Sequence, residues 1–174
     1  MRLKRLLNVD HEFFNQAFEL YQSAFPLLER RDKEEQERIF AKPDYHYDII
    51  LQNDQFIGIM LYWETENFIF LEHFSTLEHL RGKGYGSSAL SLLKQKGKPV
   101  LLEIEPPISR LTQRRYQFYC RNGFILNPHF HIQAKYRVND DDLQLKILSY
   151  PNVLSQEDYQ SFYTYMLKEI SAQP

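Results

Sequence analysis

Residues 81–87 read Arg81-Gly82-Lys83-Gly84-Tyr85-Gly86-Ser87, three alternate glycines between an apolar run that ends at Thr76 and an amphipathic run that begins at Tyr85. This is the pattern of a strand, a tight turn and a helix. The first N–H groups of a helix have no intrahelical acceptor and lie at the positive end of its dipole, so such a turn suits a phosphate held by bare backbone. A Cβ there would hold the anion away. Two common phosphate loops are excluded by spacing. A dinucleotide fingerprint needs Gly or Ala at the sixth position from Gly82, which is Ser87, and a Walker loop needs Gly-Lys-Ser/Thr, which is absent. An ordinary glycine-rich turn is the alternative that spacing alone leaves.

Upstream of the turn, apolar runs at 47–51, 56–63 and 68–76 are separated by the short polar breaks Asn53-Asp54 and Glu64-Thr65-Glu66-Asn67, which predicts an antiparallel meander. Downstream, Tyr85, Ala89, Leu92 and Leu93 carry a helical face to about Lys96, Gly97 and Pro99 end it, and residues 100–104 read as the next strand. Strand, helix and strand form a βαβ unit, so the strands at 68–76 and 100–104 should be parallel neighbours in an otherwise antiparallel sheet. Residues 2–7 read as a first strand. Phe13, Phe14, Ala17, Phe18, Tyr21 and Ala24 then recur at helical spacing until Pro26, and the charged stretch 27–39 forms a short helix with a Glu34–Arg38 pair.

A further helix is predicted over 109–122, capped by Ser109 and closed by Gly123, followed by strands at 129–138 and 143–150 around the acidic turn Asn139-Asp140-Asp141-Asp142. Ser155 and Asp158 then resemble a capping box. The stripe Tyr159, Phe162, Tyr163, Met166, Leu167 and Ile170 marks a C-terminal helix over about 155–171. The stripe fits core packing or a homodimer contact rather than a cofactor box.

With 174 residues, 43% hydrophobic and 15% aromatic, the chain should form one domain over 1–174, its core about 2–150. A formal charge of −2 and no long basic run predict neither nucleic acid nor a membrane surface as partner. No apolar run approaches 18 residues and the N-terminal apolar segment is too short for a leader, which predicts a cytoplasmic protein. The single cysteine, Cys120, excludes an internal disulfide, fits a reducing compartment and reads as a small buried hydrophobe beside Tyr116 and Tyr119. His129 and His131 lack a carboxylate or cysteine partner at ligand spacing, so no metal is expected.

The loop resembles the Arg/Gln-x-x-Gly-x-Gly/Ala turn of the GNAT N-acetyltransferases, and Tyr119-Cys120-Arg121-Asn122-Gly123-Phe124 resembles that family's second signature, a Tyr four residues before Gly-Phe. The similarity runs over about residues 2–150, because the order β-α-α-β-β-β-α-β-α-β-β is also the family's. It implies an α/β fold with a mixed, mainly antiparallel sheet of about seven strands flanked by helices, to which the C-terminal helix is an addition. Thr112 departs from the pattern, where many members have asparagine.

What the resemblance implies chemically is direct transfer of an acetyl group from acetyl-coenzyme A to a primary amine. The turn, Arg81, Gly82, Lys83, Gly84, Tyr85, Gly86 and Ser87, would hold the pyrophosphate. Phe74, Ser75 and Thr76 would pair with the pantetheine arm, near Glu103, and polarise the thioester carbonyl. Tyr119 would serve as acid toward the departing thiolate. An alkylammonium must lose a proton before it attacks, and Glu72, set by alternation on one face with Phe74 and Thr76, is the candidate base; Glu103 and Glu105 read as ordinary strand residues. Residues 25–31 with Tyr62, Trp63 and His129 are candidate acceptor contacts, Glu29 toward an ammonium and Arg30 or Arg31 toward a carboxylate. A non-catalytic acyl-coenzyme A-binding regulatory module and an atypical nucleotide-binding protein are the competing readings.

Overall fold

Long runs of buried residues on the central strands mean that both faces of the sheet are covered. In the computed structural model, which describes residues 1–171, Tyr45–Gln52 (β2) and Gln55–Glu64 (β3) have almost every side chain out of water. The chain divides into two compact units, Met1–Val100 and the residues from Leu101 onward.

In the first unit, Arg2–Leu6 (β1), β2, β3 and Ile69–Thr76 (β4) pair in that order, all antiparallel. The meander is therefore as the turns predict. Asn53 and Asp54 both sit at positive φ, 49° and 61°, the primed geometry that a two-residue hairpin demands of short polar side chains. On one face, Tyr47 packs against Phe14 of the helix Phe14–Ala24 (α1) and against Phe40. His46 and its cross-strand partner Tyr62 lie on the other face, under Lys96, just beyond the helix Tyr85–Lys94 (α3). Between them in sequence, Asp32 caps the short helix Lys33–Ile39 (α2) through a full capping box with Glu35. The box starts this helix at Lys33, so residues 27–32 stand outside it, and Leu27–Glu29 form a separate single 3₁₀ turn. Gly58 matters for a different reason. A Cβ there would lie 2.2 Å from the Ser75 carbonyl oxygen, so only glycine lets β3 pass the end of β4. The Ile69 N–H donates to Pro99 O at 2.8 Å and brings the start of β4 to the residue before Val100–Ile104 (β5).

In the second unit, Arg110–Arg121 (α4) starts from a capping box between Ser109 and Thr112 and stops at Asn122 and Gly123, the glycine at φ +83°. Ile125–Leu126 (β6) and His131–Ile132 (β7) each pair antiparallel with Gln144–Tyr150 (β8). The strand expected over 129–138 is thus only two residues long. Phe130 lies exposed just after Pro128, and beyond Ile132 a single bond, Gln133 N–H to Leu143 O, prolongs the pairing. Counting β6, the described residues hold eight strands rather than about seven. The final helix, Gln156–Glu169 (α5), is capped by Ser155 and buries Tyr159, Phe162 and Met166, with Ile170 just beyond; Leu167, expected in the same stripe, is 44% exposed.

Candidate active site

The glycine turn has the backbone geometry that anion binding requires. Gly82 and Gly84 sit at φ +79° and +83°, conformations that side chains resist, and an added Cβ at either would meet nothing within 4 Å. The loop face is therefore open. Gly84 is also the N-cap of α3, and no side chain caps that helix, whereas α2, α4 and α5 are capped by Asp32, Ser109 and Ser155. An uncapped helix start behind an open glycine face is a fit for a pyrophosphate. Arg81 and Lys83 are exposed beside it.

Before the turn, Phe74, Ser75 and Thr76 are partly buried, and on the β3 side they pair with Met60, Ile59 and Gly58. Glu72 departs from the period-two expectation. The register between β3 and β4 runs Leu61↔His73 and then Tyr62↔Leu71, which leaves Glu72 as the extra residue of a β-bulge. A bulge re-aims its side chain, so alternation no longer says which way Glu72 points. Its carboxylate is 1% exposed and receives both arms of the Arg31 guanidinium, Nη1 to Oε2 at 3.0 Å and Nη2 to Oε1 at 2.8 Å, and the Trp63 indole N–H at 3.1 Å. Burial pulls this carboxyl up, but the charge of Arg31, the neighbouring His73 and the Arg31 hydrogen bonds outweigh it and hold Glu72 well below the usual carboxylate range. A carboxylate so satisfied is a counter-ion and a weak proton acceptor.

The same cluster redefines the acceptor candidates. Arg31 is 4% exposed and lies over the Tyr45 and Trp63 rings at about 6 Å. Its backbone N–H donates to the Tyr21 hydroxyl, and the Arg30 Nε donates to Phe25 O. His73 Nε2 lies 2.6 Å from Glu29 O. Residues 25–31 are thus pinned to β4, and Arg31 is spent on Glu72 rather than offered to an acceptor carboxylate. Leu27 and Leu28 remain exposed.

In the second unit, Tyr119 lies near the end of α4, edge-on to Phe118 and Phe124 at 5.2 and 5.7 Å. Burial pushes its hydroxyl up to about 12, with Arg115 pulling the other way. Thr112 uses its side chain in the α4 capping box. Cys120 is exposed, contrary to its reading as a buried hydrophobe. Glu105 pairs with Arg115, and Glu103 with His131. No cluster of three or more metal-ligating side chains occurs among the described residues, and no helix there is long and apolar enough to cross a membrane.

The chain is similar to known proteins in sequence and in fold. A sequence model of the Acetyltransferase (GNAT) family matches residues 14–124, which include both the glycine turn and Tyr119. YjbC of Bacillus subtilis strain 168, an acetyltransferase by assignment, is 26% identical over 159 residues, 85% of this chain and 81% of its own. A solved structure from Bacteroides thetaiotaomicron, assigned to the GNAT acetyltransferases, superposes with a TM-score of 0.91 at 28% identity, over 99% of this chain and all of its own. A second, a Bacillus subtilis acetyltransferase in complex with coenzyme A, has a TM-score of 0.56 at 15% identity, over 85% and 96%, and shows likeness of fold alone. The mixed, mostly antiparallel α/β fold with its closing helix is thus the GNAT fold, and the chain belongs to the GNAT acetyltransferase family.

Proposed function

We propose that this protein transfers an acetyl group from acetyl-coenzyme A to a primary amine of a small molecule or peptide. The observation that carries the reading is the uncapped start of α3 behind Gly82 and Gly84, on a chain whose family transfers acetyl groups. Backbone N–H groups from Gly82 to Ser87 would hold the pyrophosphate, with Arg81 and Lys83 adding screened surface charge. Phe74, Ser75 and Thr76 would hold the pantetheine arm and polarise the thioester carbonyl. Tyr119, with its hydroxyl protonated at neutral pH, would supply the proton that the departing thiolate takes up. Glu72 has a positioning role: through Arg31 it ties residues 25–31 to the bulge of β4.

Free thiol released on mixing acetyl-coenzyme A with an amine panel tests the activity. Thiol release that depends on an amine is expected; tight coenzyme A binding without it would favour a regulatory module, and stabilisation by ATP or NAD alone would favour a nucleotide binder. Tyr119→Phe should lower kcat by about 10²-fold with little change in coenzyme A affinity, and an unchanged kcat would remove Tyr119 from the mechanism.

A further inference from the structure

Residues 106–138 contain six of the chain's 21 Lys and Arg and none of its 23 Asp and Glu, an asymmetry that the formal charge of −2 averages away. Three of the six cations are neutralised by acids from outside the stretch. Arg115 pairs with Glu105, Lys135 with Asp142 at 2.8 Å and Arg137 with Asp140 at 3.4 Å. The other three, Arg110, Arg114 and Arg121, all belong to α4. Among the described residues, their guanidinium groups have neither an ion pair nor a hydrogen bond.

On a helix of 3.6 residues per turn, positions 110, 114 and 121 fall within about 40° of one another, and Gln117 lies in the same row. Thr112, which the helix buries, and Tyr119 lie on the opposite side. All four residues of the row are exposed. The row opposes the helix that carries it. Arg110 is the first residue of α4, at the positive end of its dipole, and Arg114 is a like charge four residues on. No acid occupies this first turn, whereas α2 has Glu34 and Glu35 there and α5 has Glu157 and Asp158. Folding alone therefore gives no reason for the row.

A partner that relieves the repulsion must bring several negative charges in a line. From position 110 to 121 the row runs about 16 Å, the axial length of about five stacked nucleotides. All four cations of α4 are Arg and none is Lys, and the planar guanidinium meets phosphate with paired hydrogen bonds and stacks on bases. Leu111, 58% exposed, and the partly buried Phe118 border the row and offer apolar surface to bases. A bilayer is a poorer match, because the side of α4 opposite the arginines is covered and leaves no apolar face to insert. We infer that α4 is a docking surface for the phosphate backbone of a single nucleic-acid strand, held by Arg110, Arg114 and Arg121. The inference stands independently of acetyl transfer.

The test uses the full chain and fluorescein-labelled 12-nucleotide oligouridylate and oligothymidylate, read by anisotropy. At least one strand should bind with a Kd of about 10 µM in about 50 mM salt, and log affinity should fall with log salt at a slope of about −2, as three phosphate contacts require. The triple variant Arg110→Gln/Arg114→Gln/Arg121→Gln should raise Kd at least tenfold and flatten the slope, with thermal midpoint and coenzyme A affinity unchanged. A control that removes the same charge elsewhere, Arg2→Gln/Lys33→Gln/Lys168→Gln, should stay within about threefold of wild type. Should the triple variant fail to fold, Arg114→Gln alone decides, by a slope lower by about 0.7. The proposal is overturned if wild type binds neither strand below about 1 mM, or if the control loses as much as the triple variant. It is equally overturned if loss of the row weakens coenzyme A instead, or if polyglutamate or phosphatidylserine vesicles compete as well as an unlabelled strand, which would make the partner an acidic protein or a membrane.

Discussion

Glu72 on β4 and Asp48 on β2 are both buried carboxylates of one antiparallel sheet, yet Glu72 ionises well below the usual carboxylate range and Asp48 only near pH 6. Burial opposes charge at both. What differs is the cation. Glu72 meets a guanidinium fork on both oxygens and an indole N–H besides. Asp48 has the Tyr62 hydroxyl at 3.0 Å on one oxygen, while its Oδ1 is buried without a partner. Lys96 and Arg5 pull it down only from a distance, and His46, at 4.0 Å, is itself held at about 4 by burial and then by those same two cations. It is neutral at pH 7 and gives Asp48 no countercharge. The fixed geometry of a paired donor, not depth in the core, decides whether a buried acid is a counter-ion or a titrating group.

The comparison breaks most sharply at Arg31. Arg31→Ala leaves Glu72 buried without its guanidinium and should cost about 3–5 kcal/mol of stability by urea unfolding at pH 7. Its pH dependence follows from the lowered carboxyl. A group depressed on folding contributes stability above its unfolded value, near 4.5, and loses it as pH falls toward the folded one. The gap between wild type and Arg31→Ala should therefore narrow below about pH 4.5; a gap that stays constant to pH 3 would mean that packing over Tyr45 and Trp63, not charge, accounts for the loss.

Asp48 carries the opposite sign. Its carboxyl is raised from 3.8 to about 6, so the stability it contributes is present below 3.8 and lost as pH rises through 6. Asp48→Asn should therefore stabilise the protein at pH 7.5 by about 1–3 kcal/mol and by almost nothing at pH 3.5, read as the difference in thermal midpoint at the two pH values. Equal midpoints at pH 7.5 would show that an unseen donor satisfies Asp48. The smallest effect belongs to the exposed pair Arg2–Asp54, 56% and 83% exposed at 2.7 Å. Arg2→Ala should cost less than about 0.5 kcal/mol, and any loss should disappear in about 0.5 M salt.

Local patterns were legible where one residue type does one job. The Asn53-Asp54 turn, the ends of α1 at Pro26 and of α3 at Gly97, the Ser109 cap and Gly123 all follow from backbone chemistry that needs no partner elsewhere. The glycine turn was readable for the same reason. The Asp32–Glu35 capping box obeys the same local rule, but it lies inside a run of ten charged and polar residues where a solvated helix face accounts for every side chain. Glu72 was not legible, because a bulge without Gly or Pro leaves no mark on a run of strand formers, and one extra residue reverses every inference from alternation. Nor could spacing pair Arg31 with Glu72, 41 residues on, or Glu103 with His131, 28 residues on, and side chains that distant meet only through the fold. The stretch 129–138 misled because its apolar residues satisfy strand propensity while the chain there pairs at only two positions.

Trp63 is the only tryptophan of the chain, fully buried, with its indole N–H on Glu72 and the Arg31 guanidinium 6.0 Å from its ring. The fold has thereby placed a single optical reporter on the very ion pair that anchors residues 25–31. Its emission should be blue-shifted and collected from a uniform environment, without labels and without competing indoles. Any ligand, denaturant or substitution that loosens this corner would be seen as a red shift before the rest of the chain gave way.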